Sequence, residues 1–250
     1  DCIVSDNPTG GINNSGSMAL IDTVVRGNAR AGIVNWTGEA TLDRCSVDHN
    51  AFRGVYNHEG QMTLDNSAVT DNGTPGNWAE GPGVYNWWGT VTLNNCTVSG
   101  NAGSAGGGLY MARYAALNLN SCTVSNNTAY NYGGGMYVEE GVATIRNTLL
   151  AGNRGGMGPS DCAHGQGTIV SAGHNLVSST SRCTFIADAT DILDVDACLG
   201  PLEGEPGYAP LLPGSPAIDA GDPAGCCDVQ GVPLATDQRG FPRFGTCDIG

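Results

Sequence analysis

Short runs of Val, Ile, Leu and Ala alternate with Gly, Asn, Ser and Thr along most of this chain. One frame recurs six times. It begins with Leu or Ile, has Cys, Ser or Thr three residues later and Val or Leu two residues after that, and ends with Asn after three more residues. The copies end at Asn28, Asn50, Asn72, Asn101, Asn127 and Asn153, and a half-copy ends at Asn7. A period this short and regular indicates a solenoid.

A second frame lies between the copies of the first and consists of Gly, an apolar residue and, in four copies, Tyr. These four copies are Gly54-Val55-Tyr56, Gly83-Val84-Tyr85, Gly108-Leu109-Tyr110 and Gly135-Met136-Tyr137. Each period therefore predicts two or three short strands joined by turns. No segment shows sustained helical periodicity.

These patterns predict an all-β fold, a right-handed parallel β-helix of about seven coils over residues 1–177. One coil has too little apolar surface to fold alone, whereas stacked coils share one continuous core. A propeller blade is about 40–45 residues long, and a leucine-rich repeat would show helical segments, so both alternatives fit less well. The Asp-, Pro- and Cys-rich residues 178–250 predict an irregular cap that shields the end of the stack.

The frames also predict where individual side chains point. Leu42, Cys45, Val47 and Val55 should face the interior, with equivalents above and below them. The recurrent Asn should occupy a turn, because Asn tolerates left-handed backbone geometry. Stacked in register, Asn7, Asn28, Asn50, Asn72, Asn101, Asn127 and Asn153 would form an amide ladder.

Ten cysteines without a CxxC pair favour disulfides over zinc ligation. Cys2, Cys45, Cys96 and Cys122 share one inward repeat position and are expected to be core residues, with Cys96 and Cys122 as vertical neighbours. Cys162 and Cys183 bracket a coil-like stretch and form the best candidate disulfide. Cys226, Cys227 and Cys247 are expected to staple the cap, with Cys198 as another candidate partner.

The charge of the chain limits its partners. The net charge is −14, and all ten cations are Arg. An acidic surface repels phosphate backbones, so nucleic acid is not an expected partner. No apolar run approaches ~20 residues, so no membrane span is expected. Cysteine content and composition together favour an extracellular or cell-surface location.

The C-terminal region resembles the choice-of-anchor Q family of bacterial surface proteins. The resemblance is carried by Leu211-Leu212-Pro213-Gly214-Ser215-Pro216-Ala217-Ile218-Asp219-Ala220-Gly221-Asp222, by Thr236-Asp237-Gln238-Arg239-Gly240 and by Cys247-Asp248-Ile249-Gly250. The coils are also distantly similar to polymorphic outer-membrane repeat proteins. The resemblance implies export, surface attachment and a β-helix, and the family usually continues beyond the final Asp-Ile-Gly. It supplies no catalytic residues.

Carboxylates are the first candidate chemistry. Asp43 and Asp65 hold the same repeat position, and Asp48 and Asp71 lie just beyond the Val of their copies. Stacking would place such acids ~5 Å apart, near the separation in a retaining glycosidase. They could also bind Ca²⁺, although capping of turns is the simpler interpretation. No metal site and no cofactor are assigned.

Aromatic residues are the second candidate. Tyr56, Tyr85, Tyr110 and Tyr137 each follow an inward residue, so they should form an outward stripe. Trp78, Trp87 and Trp88 lie in adjacent turns, all within the longest Asn-to-Asn interval, from Asn72 to Asn101, which also holds a loop over residues 73–82. An exposed ladder of rings could bind sugars or a partner protein. Alternatively, the C-terminal segment folds back and covers the stripe.

The sequence therefore favours a non-catalytic structural or adhesive protein of the bacterial surface. Because the chain begins inside a coil, head-to-tail association into filaments through an open coil end is a further expectation. The alternatives are a polysaccharide-active lyase, glycosidase or epimerase, and a passive glycan-binding module.

Overall fold

A computed structural model describes residues 2–74, 80–156 and 158–250, and its strands build three parallel sheets. Each turn of the chain adds one strand to sheet A, one to sheet B and one to sheet C, in that order. The described residues contain no α-helix, and the solenoid makes about six turns from its first layer to its seventh. The predicted parallel β-helix is confirmed.

Sheet A contains Cys2–Ser5, Thr23–Arg26, Ser46–Asp48, Ala68–Thr70, Thr97–Ser99, Thr123–Ser125, Leu149–Ala151, Leu176–Val177 and Ile192–Leu193. Sheet B contains Ile12–Asn14, Ile33–Asn35, Val55–Asn57, Val84–Asn86, Leu109–Met111, Met136–Val138 and Cys162–His164. Sheet C contains Ser17–Ile21, Glu39–Asp43, Gln61–Asp65, Thr90–Asn94, Ala116–Asn120, Val142–Arg146 and Thr168–Ser171. A small fourth sheet contains Ala102–Gly103, Thr128–Ala129, Arg154–Gly155 and Gly158–Pro159.

Alternation along each strand divides the side chains between the interior and the surface. In the sheet C strand Glu39–Asp43, Ala40 and Leu42 are buried, whereas Glu39 and Thr41 are exposed. Because the coils stack in register, each inward residue packs on its equivalent in the next coil; Val47, for example, pairs with Val69. One continuous apolar core results.

The Asn at the end of each repeat lies in a buried column at the exit of sheet A. Asn50 is typical: its Oδ1 accepts from the Nδ2 of Asn28 at 2.8 Å, and its Nδ2 donates to Asn72 Oδ1 at 2.9 Å and to the Val25 carbonyl at 3.0 Å. The same amide contacts link Asn7, Asn28, Asn50, Asn72, Asn101, Asn127 and Asn153. The buried amide groups of the column thus find hydrogen-bond partners at every layer.

The column ends on a carboxylate. Asp161 Oδ1 accepts from both the backbone N–H and the Nδ2 of Asn153, and Oδ2 accepts from Ser178 and Ser179. Because a carboxylate can only accept, Asn153 must donate towards it, and each preceding amide has the same orientation.

The expectation that the ladder Asn itself adopts left-handed geometry is wrong. The residue with positive φ is the one before it, as at Asp6 (58°), His49 (53°), Asp71 (52°) and Asn126 (55°). Gly fills this position in the other repeats, because glycine adopts this conformation without steric cost. The residue before each ladder Asn therefore turns the chain at the corner. The Asn itself keeps a backbone conformation that directs its side-chain amide along the column.

The cysteine predictions divide into two groups. Cys162 and Cys183 form a disulfide, as do Cys226 and Cys247. Cys45, Cys96 and Cys122 are buried thiols of the core, as expected, whereas the expectation is wrong for Cys2, which is an exposed free thiol in the less fully packed first coil.

Cys198 and Cys227, predicted as further staples, are both free. The Cys227 thiol lies 3.6 Å from the carbonyl of Gly225, two residues earlier. The Cys198 thiol likewise lies 3.9 Å from the carbonyl of Asp196, two residues earlier.

The C-terminal region does more than cover one end. Parallel stacking continues beyond the expected boundary at residue 177, through Ile192–Leu193, and Cys183, Phe185 and Leu193 join the core. Residues 205–250, here called the C-terminal strap, then run back along the outer face of sheet A. Their contacts include hydrogen bonds to Asn95, Thr97 and Ser67.

The motifs of the strap have structural roles. Ala217 and Ile249 pack against Leu149 and Leu176 in a second apolar cluster. Gln238 accepts from the Thr97 hydroxyl at 2.7 Å and donates to the Ser67 carbonyl, so the TDQRG string fastens the strap to two successive coils. Asp222 pairs with Arg146 at 2.7 Å.

The first coil is packed less fully than the others. Val4, Ile12, Met18 and Leu20 face inward but remain partly exposed, and Ile3 is 63% exposed. Self-association through this end stays a prediction.

Asn72→Ala should destabilise the fold by about 3 kcal/mol, because it removes the buried hydrogen bonds that the Asn72 side chain makes to Asn50, to Asn101 and to the Val47 carbonyl. Asn118→Ala is the matched control, since the Asn118 amide lies on the outer face of sheet C and makes one long bond to Thr92. Urea unfolding measures both; equal losses would contradict the structural role of the ladder.

Asp222→Asn should destabilise the strap at neutral pH by about 1 kcal/mol and by much less near pH 2. The hydrogen bond from Arg146 lowers the pKa of Asp222 below its usual range. The ionised Asp222 therefore stabilises the folded state above the unfolded-state pKa of about 3.9. That stabilisation is lost as the pH falls through the lower pKa of the folded state. Urea unfolding at pH 7 and pH 2 tests this expectation; a difference that persists at pH 2 would contradict it.

Candidate functional site

Four tyrosines lie directly over one another on the outer face of sheet B. The register pairs Tyr56 with Tyr85, Tyr85 with Tyr110, and Tyr110 with Tyr137. The ring centroids of these pairs are 5.4, 5.0 and 5.4 Å apart, and the rings of Tyr85 and Tyr110 are nearly parallel, at 9°. Val34 and Ala163 occupy the same position before and after the four.

The expectation that this column is an exposed ladder is wrong for its two central members. Tyr85 and Tyr110 are each only 3% exposed, whereas Tyr56 and Tyr137 are half-buried. The covering chain is not the C-terminal strap, which lies on sheet A.

The chain that enters sheet B covers the rings. Gly81, with φ of 57°, passes so close that a Cβ on it would lie 2.7 Å from Tyr110 Cβ and 2.9 Å from the Tyr85 ring. Gly106 and Gly133 make the same close approach to Tyr110 and Tyr137. Only glycine allows this approach with positive φ.

Further rings extend the column sideways. Trp36 contacts Tyr56 at 5.8 Å, and Trp87 contacts Tyr85 at 6.0 Å. His58 lies between the two tryptophans, stacked on Trp87 at 6.5 Å. Trp36 is 44% exposed and Trp88, beside Trp87, is 54% exposed. Trp78, also predicted to contribute, lies outside the described residues.

Two guanidinium groups lie on the aromatic faces. The Arg53 Cζ lies 4.2 Å from the Tyr85 ring centroid and 5.3 Å from that of Tyr56, and its Nε donates to the Glu80 carbonyl at 2.9 Å. The Arg113 Cζ lies 5.2 Å from the Trp87 ring centroid. All three distances are typical of cation–π contacts.

A groove of about 290 Å³ opens beside the central tyrosines. Its lining consists of Glu80, Tyr85, Trp87, Tyr110, Arg113, Glu139 and Glu140. Glu80 and Glu139 are exposed at its rim, and the Tyr110 hydroxyl donates to Glu139 Oε2 at 3.0 Å. We call this the aromatic groove; rings provide its floor and one wall, and carboxylates provide most of its charge.

The electrostatics of the groove follow from burial and from these acids. Burial raises the pKa of Tyr85 and Tyr110 well above 10, and the nearby charges of Glu80 and Glu139 raise it further. Burial also lowers the pKa of Arg53, which the tyrosines and Glu80 partly offset. The phenols therefore serve as neutral hydrogen-bond donors.

The sequence-predicted acids lie elsewhere. Asp43 and Asp65 are paired across adjacent strands of sheet C. Asp65 Oδ1 accepts from Asn94 at 2.8 Å, and Asp43 accepts from Asn66 and Arg44. Neither acid lines the aromatic groove. They belong to side-chain ladders that fasten the outer edge of sheet C.

Asp48 and Asp71 flank the Asn column. Asp48 is buried and accepts from Ser46 at 3.0 Å and bonds His49 Nδ1 at 2.7 Å. Asp71 occupies an exposed left-handed corner against Gly100. These contacts are those of turn residues.

A second cavity, of about 340 Å³, lies between sheet A and the strap. Its polar lining is largely paired internally: Arg243 donates to Asn95 and Thr236, and Arg239 pairs with Asp237. The Ser121 hydroxyl, buried at its edge, has no partner. Such internal pairing is typical of a packing gap beneath a folded-back segment.

Within residues 2–74, 80–156 and 158–250, no three His, Cys, Asp or Glu side chains converge as they would around a metal ion. No helix in these ranges is long and apolar enough to cross a bilayer.

A comparison with protein-family models matches residues 10–189 to the model described as right-handed β-helix region. The chain belongs to this family. The match covers every strand of sheet B and sheet C, and hence the whole aromatic groove. Neither the curated proteins nor the solved structures give a match to this right-handed β-helix protein.

Sequence reasoning missed several residues of the site. Glu80, Glu139 and Glu140 lie in turns with no shared repeat position. The covering glycines do have a signal: Gly81, Gly106 and Gly133 each stand four residues before a tyrosine. A second buried amide column, of Asn14, Asn35, Asn57 and Asn86, was also missed, although each Asn ends its sheet B strand.

Raising the pH above 10 should destabilise the protein through Tyr85 and Tyr110. Their raised pKa means that the folded state holds protons that the unfolded chain releases. Below about pH 10 this proton binding costs the folded state nothing. As the pH rises above about 10, the free energy of unfolding falls by about 1.4 kcal/mol per pH unit for each tyrosine. Urea unfolding between pH 9 and pH 11 measures this slope.

The Tyr85→Phe/Tyr110→Phe double variant should have a shallower alkaline slope than the wild type. Tyr114→Phe is the control, because the Tyr114 ring is 74% exposed and lies outside the column. An unchanged slope in the double variant would show that the two phenols do not cause the alkaline loss.

Proposed function

We propose that this right-handed β-helix protein is a non-catalytic, adhesive protein of the bacterial surface that binds glycans in the aromatic groove. The observation that carries the proposal is the continuous column of tyrosine rings with Trp36 and Trp87 packed beside it, of which Trp36 is 44% exposed. Flat aromatic faces pack against the apolar faces of sugar rings, and adjacent polar groups fix their orientation.

Polar groups suited to sugar hydroxyls surround these rings. Glu80, Glu139 and Glu140 supply acceptors, and Arg113 supplies donors. The volume of about 290 Å³ lies near the lower end of ligand sites, which suits one or two sugar rings of a longer chain. Because the groove runs across stacked coils, a linear glycan can follow the solenoid.

Contacts at the acids favour adhesion over catalysis. A polysaccharide lyase of this fold needs a basic residue beside its acids, and for Asp43, Asp48, Asp65 and Asp71 the sequence offers Arg26, Arg44 and Arg53 for that role. Arg44 is held by Asp22 and Asp43, and Arg53 is packed on Tyr56 and Tyr85. Two of the three basic side chains are therefore committed to structural contacts.

The location rests on other observations. Two disulfides are typical of an oxidising compartment. The resemblance of the strap to choice-of-anchor Q proteins supports attachment to a bacterial surface. Head-to-tail filament formation is a separate proposal that the glycan-binding experiment does not address.

Glycan binding should depend on Trp87. A glycan array identifies ligands, and isothermal titration calorimetry with the best oligosaccharide then compares wild type with Trp87→Leu. Loss of a stacking ring should weaken binding about tenfold. Phe244→Leu is the matched control, because Phe244 is an 84% exposed ring on the strap, outside the groove.

Thermal unfolding of both variants checks that the fold is retained. The proposal is overturned if no oligosaccharide binds, or if Trp87→Leu and Phe244→Leu bind as the wild type does. New reducing ends or unsaturated products during incubation with polysaccharides would contradict the non-catalytic assignment.

A further inference from the structure

The internal pairing of the cavity between sheet A and the strap is incomplete, and the gap lies at one corner of the solenoid. Asn95, Ser121 and Asn147 occupy the same left-handed corner of three successive coils, with φ of 51°, 51° and 49°. The strap is fastened to two of them: Asn95 donates to the Thr236 carbonyl at 2.9 Å, and Asn147 accepts from the Asp222 N–H at 2.9 Å. The shorter Ser121 lies between these two attachment points and lines the cavity.

The Ser121 hydroxyl is a polar group that the fold leaves unsatisfied. The residue is only 2% exposed, and its Oγ has no hydrogen-bond partner among the described residues. A buried hydroxyl without a partner is costly, and in native structures such a group calls for an explanation. A ligand that occupies the cavity and hydrogen bonds Ser121 would supply that explanation.

Arg243 is the second group of the lining whose pairing is incomplete. Its Nε donates to the Thr236 carbonyl at 3.3 Å and its Nη2 donates to Asn95 Oδ1 at 2.8 Å, and both acceptors are neutral. Within the described ranges no carboxylate forms an ion pair with it. Burial lowers the pKa of Arg243, and the charges of Asp237 and Asp248 offset this only in part. The free N–H groups of such a guanidinium bind a carboxylate strongly.

The two acids of the lining leave this role open. Both oxygens of Asp237 are occupied by Arg239, one by its backbone N–H and the other by its guanidinium. Asp248 Oδ1 accepts from the Asp219 N–H at 2.8 Å, and no hydrogen bond of the described residues occupies Oδ2. Asp248 can therefore accept from a hydroxyl group of a ligand, whereas Arg243 remains available to an anion.

The rest of the lining suits a molecule of the size of a sugar. Pro210, Leu211 and Ile218 of the strap provide apolar surface, and Thr123 adds a hydroxyl from sheet A. The volume of about 340 Å³ lies near the lower end of ligand sites, which suits one sugar ring. A ligand that satisfies all these groups has a carboxylate, several hydroxyl groups and an apolar face.

We infer that the cavity between sheet A and the strap binds one uronic acid residue. The uronate carboxylate pairs with Arg243, one sugar hydroxyl bonds Ser121, and another donates to Asp248. The site shares no residue with the aromatic groove, so the inference does not rest on the proposed function.

Three ring compounds separate the contributions of the carboxylate and the hydroxyl groups. D-galacturonate carries both, D-galactose carries only hydroxyls, and cyclohexanecarboxylate carries only the carboxylate. Titration of the isotope-labelled protein, followed by heteronuclear NMR at pH 7, measures the dissociation constants and maps the contact. D-galacturonate should bind about tenfold more tightly than either other compound. It should shift the amide signals of Ser121, Thr123 and Arg243 and leave the indole signal of Trp87 in place.

Ser121→Asn should abolish binding, because it places at this corner the longer amide found at Asn95 and Asn147 and fills the cavity. Asn is tolerated in left-handed geometry, so the fold should be retained, and thermal unfolding checks this. Arg243→Gln should reduce the affinity for D-galacturonate to that for D-galactose. Ser15→Asn makes the same exchange at an exposed turn outside the cavity and should bind as the wild type does.

The outcomes separate this site from the aromatic groove. Equal affinity for D-galacturonate and either comparison compound overturns the inference, and so does wild-type affinity in folded Ser121→Asn. If D-galacturonate does not bind, the inference also fails, and the cavity is a solvent-filled gap beneath the strap. Binding that shifts the Trp87 indole signal and leaves Ser121 unchanged overturns it as well, but supports the proposed function.

Discussion

Amide side chains hold the layers of this solenoid in one register. An Asn inside the main column, such as Asn50, accepts two hydrogen bonds from the preceding coil, donates two to the next through its backbone N–H and its Nδ2, and donates another to a backbone carbonyl. An error of one residue in any coil would break these contacts and turn the apolar side chains of that coil outwards. The buried column therefore fixes which residues face the core and which face solvent.

The aromatic groove is a consequence of that register. Tyr56, Tyr85, Tyr110 and Tyr137 occupy one outward position, so alignment of the coils alone brings their rings together. Left-handed glycines let the incoming chain pass over the central rings, and turns of variable sequence add the acids. The regular coils thus provide the rigid aromatic floor of the groove, and the irregular turns provide its charged side chains.

Much of the fold could be predicted from the sequence because its repeat is short and its alternation is strict. The positions of Leu42, Val47 and the ladder Asn follow directly from that repeat. The strap could not be placed, since Gln238 and Asp222 bind residues far away in sequence. The groove was predicted only in part: the tyrosines repeat, but Glu80 and Glu139 have no periodic signal, and the burial of Tyr85 depends on how closely Gly81 approaches.

Asp161, at the end of the amide column, gives the column a direction. Each amide accepts through Oδ1 from the preceding coil and donates one N–H to the next, so the amide dipoles add up and their positive end faces this carboxylate. The arrangement resembles an α-helix whose N-terminus meets an acid. Extra coils spliced in before Asp161 would continue the same polarity, whereas coils added after it would have to start a new column.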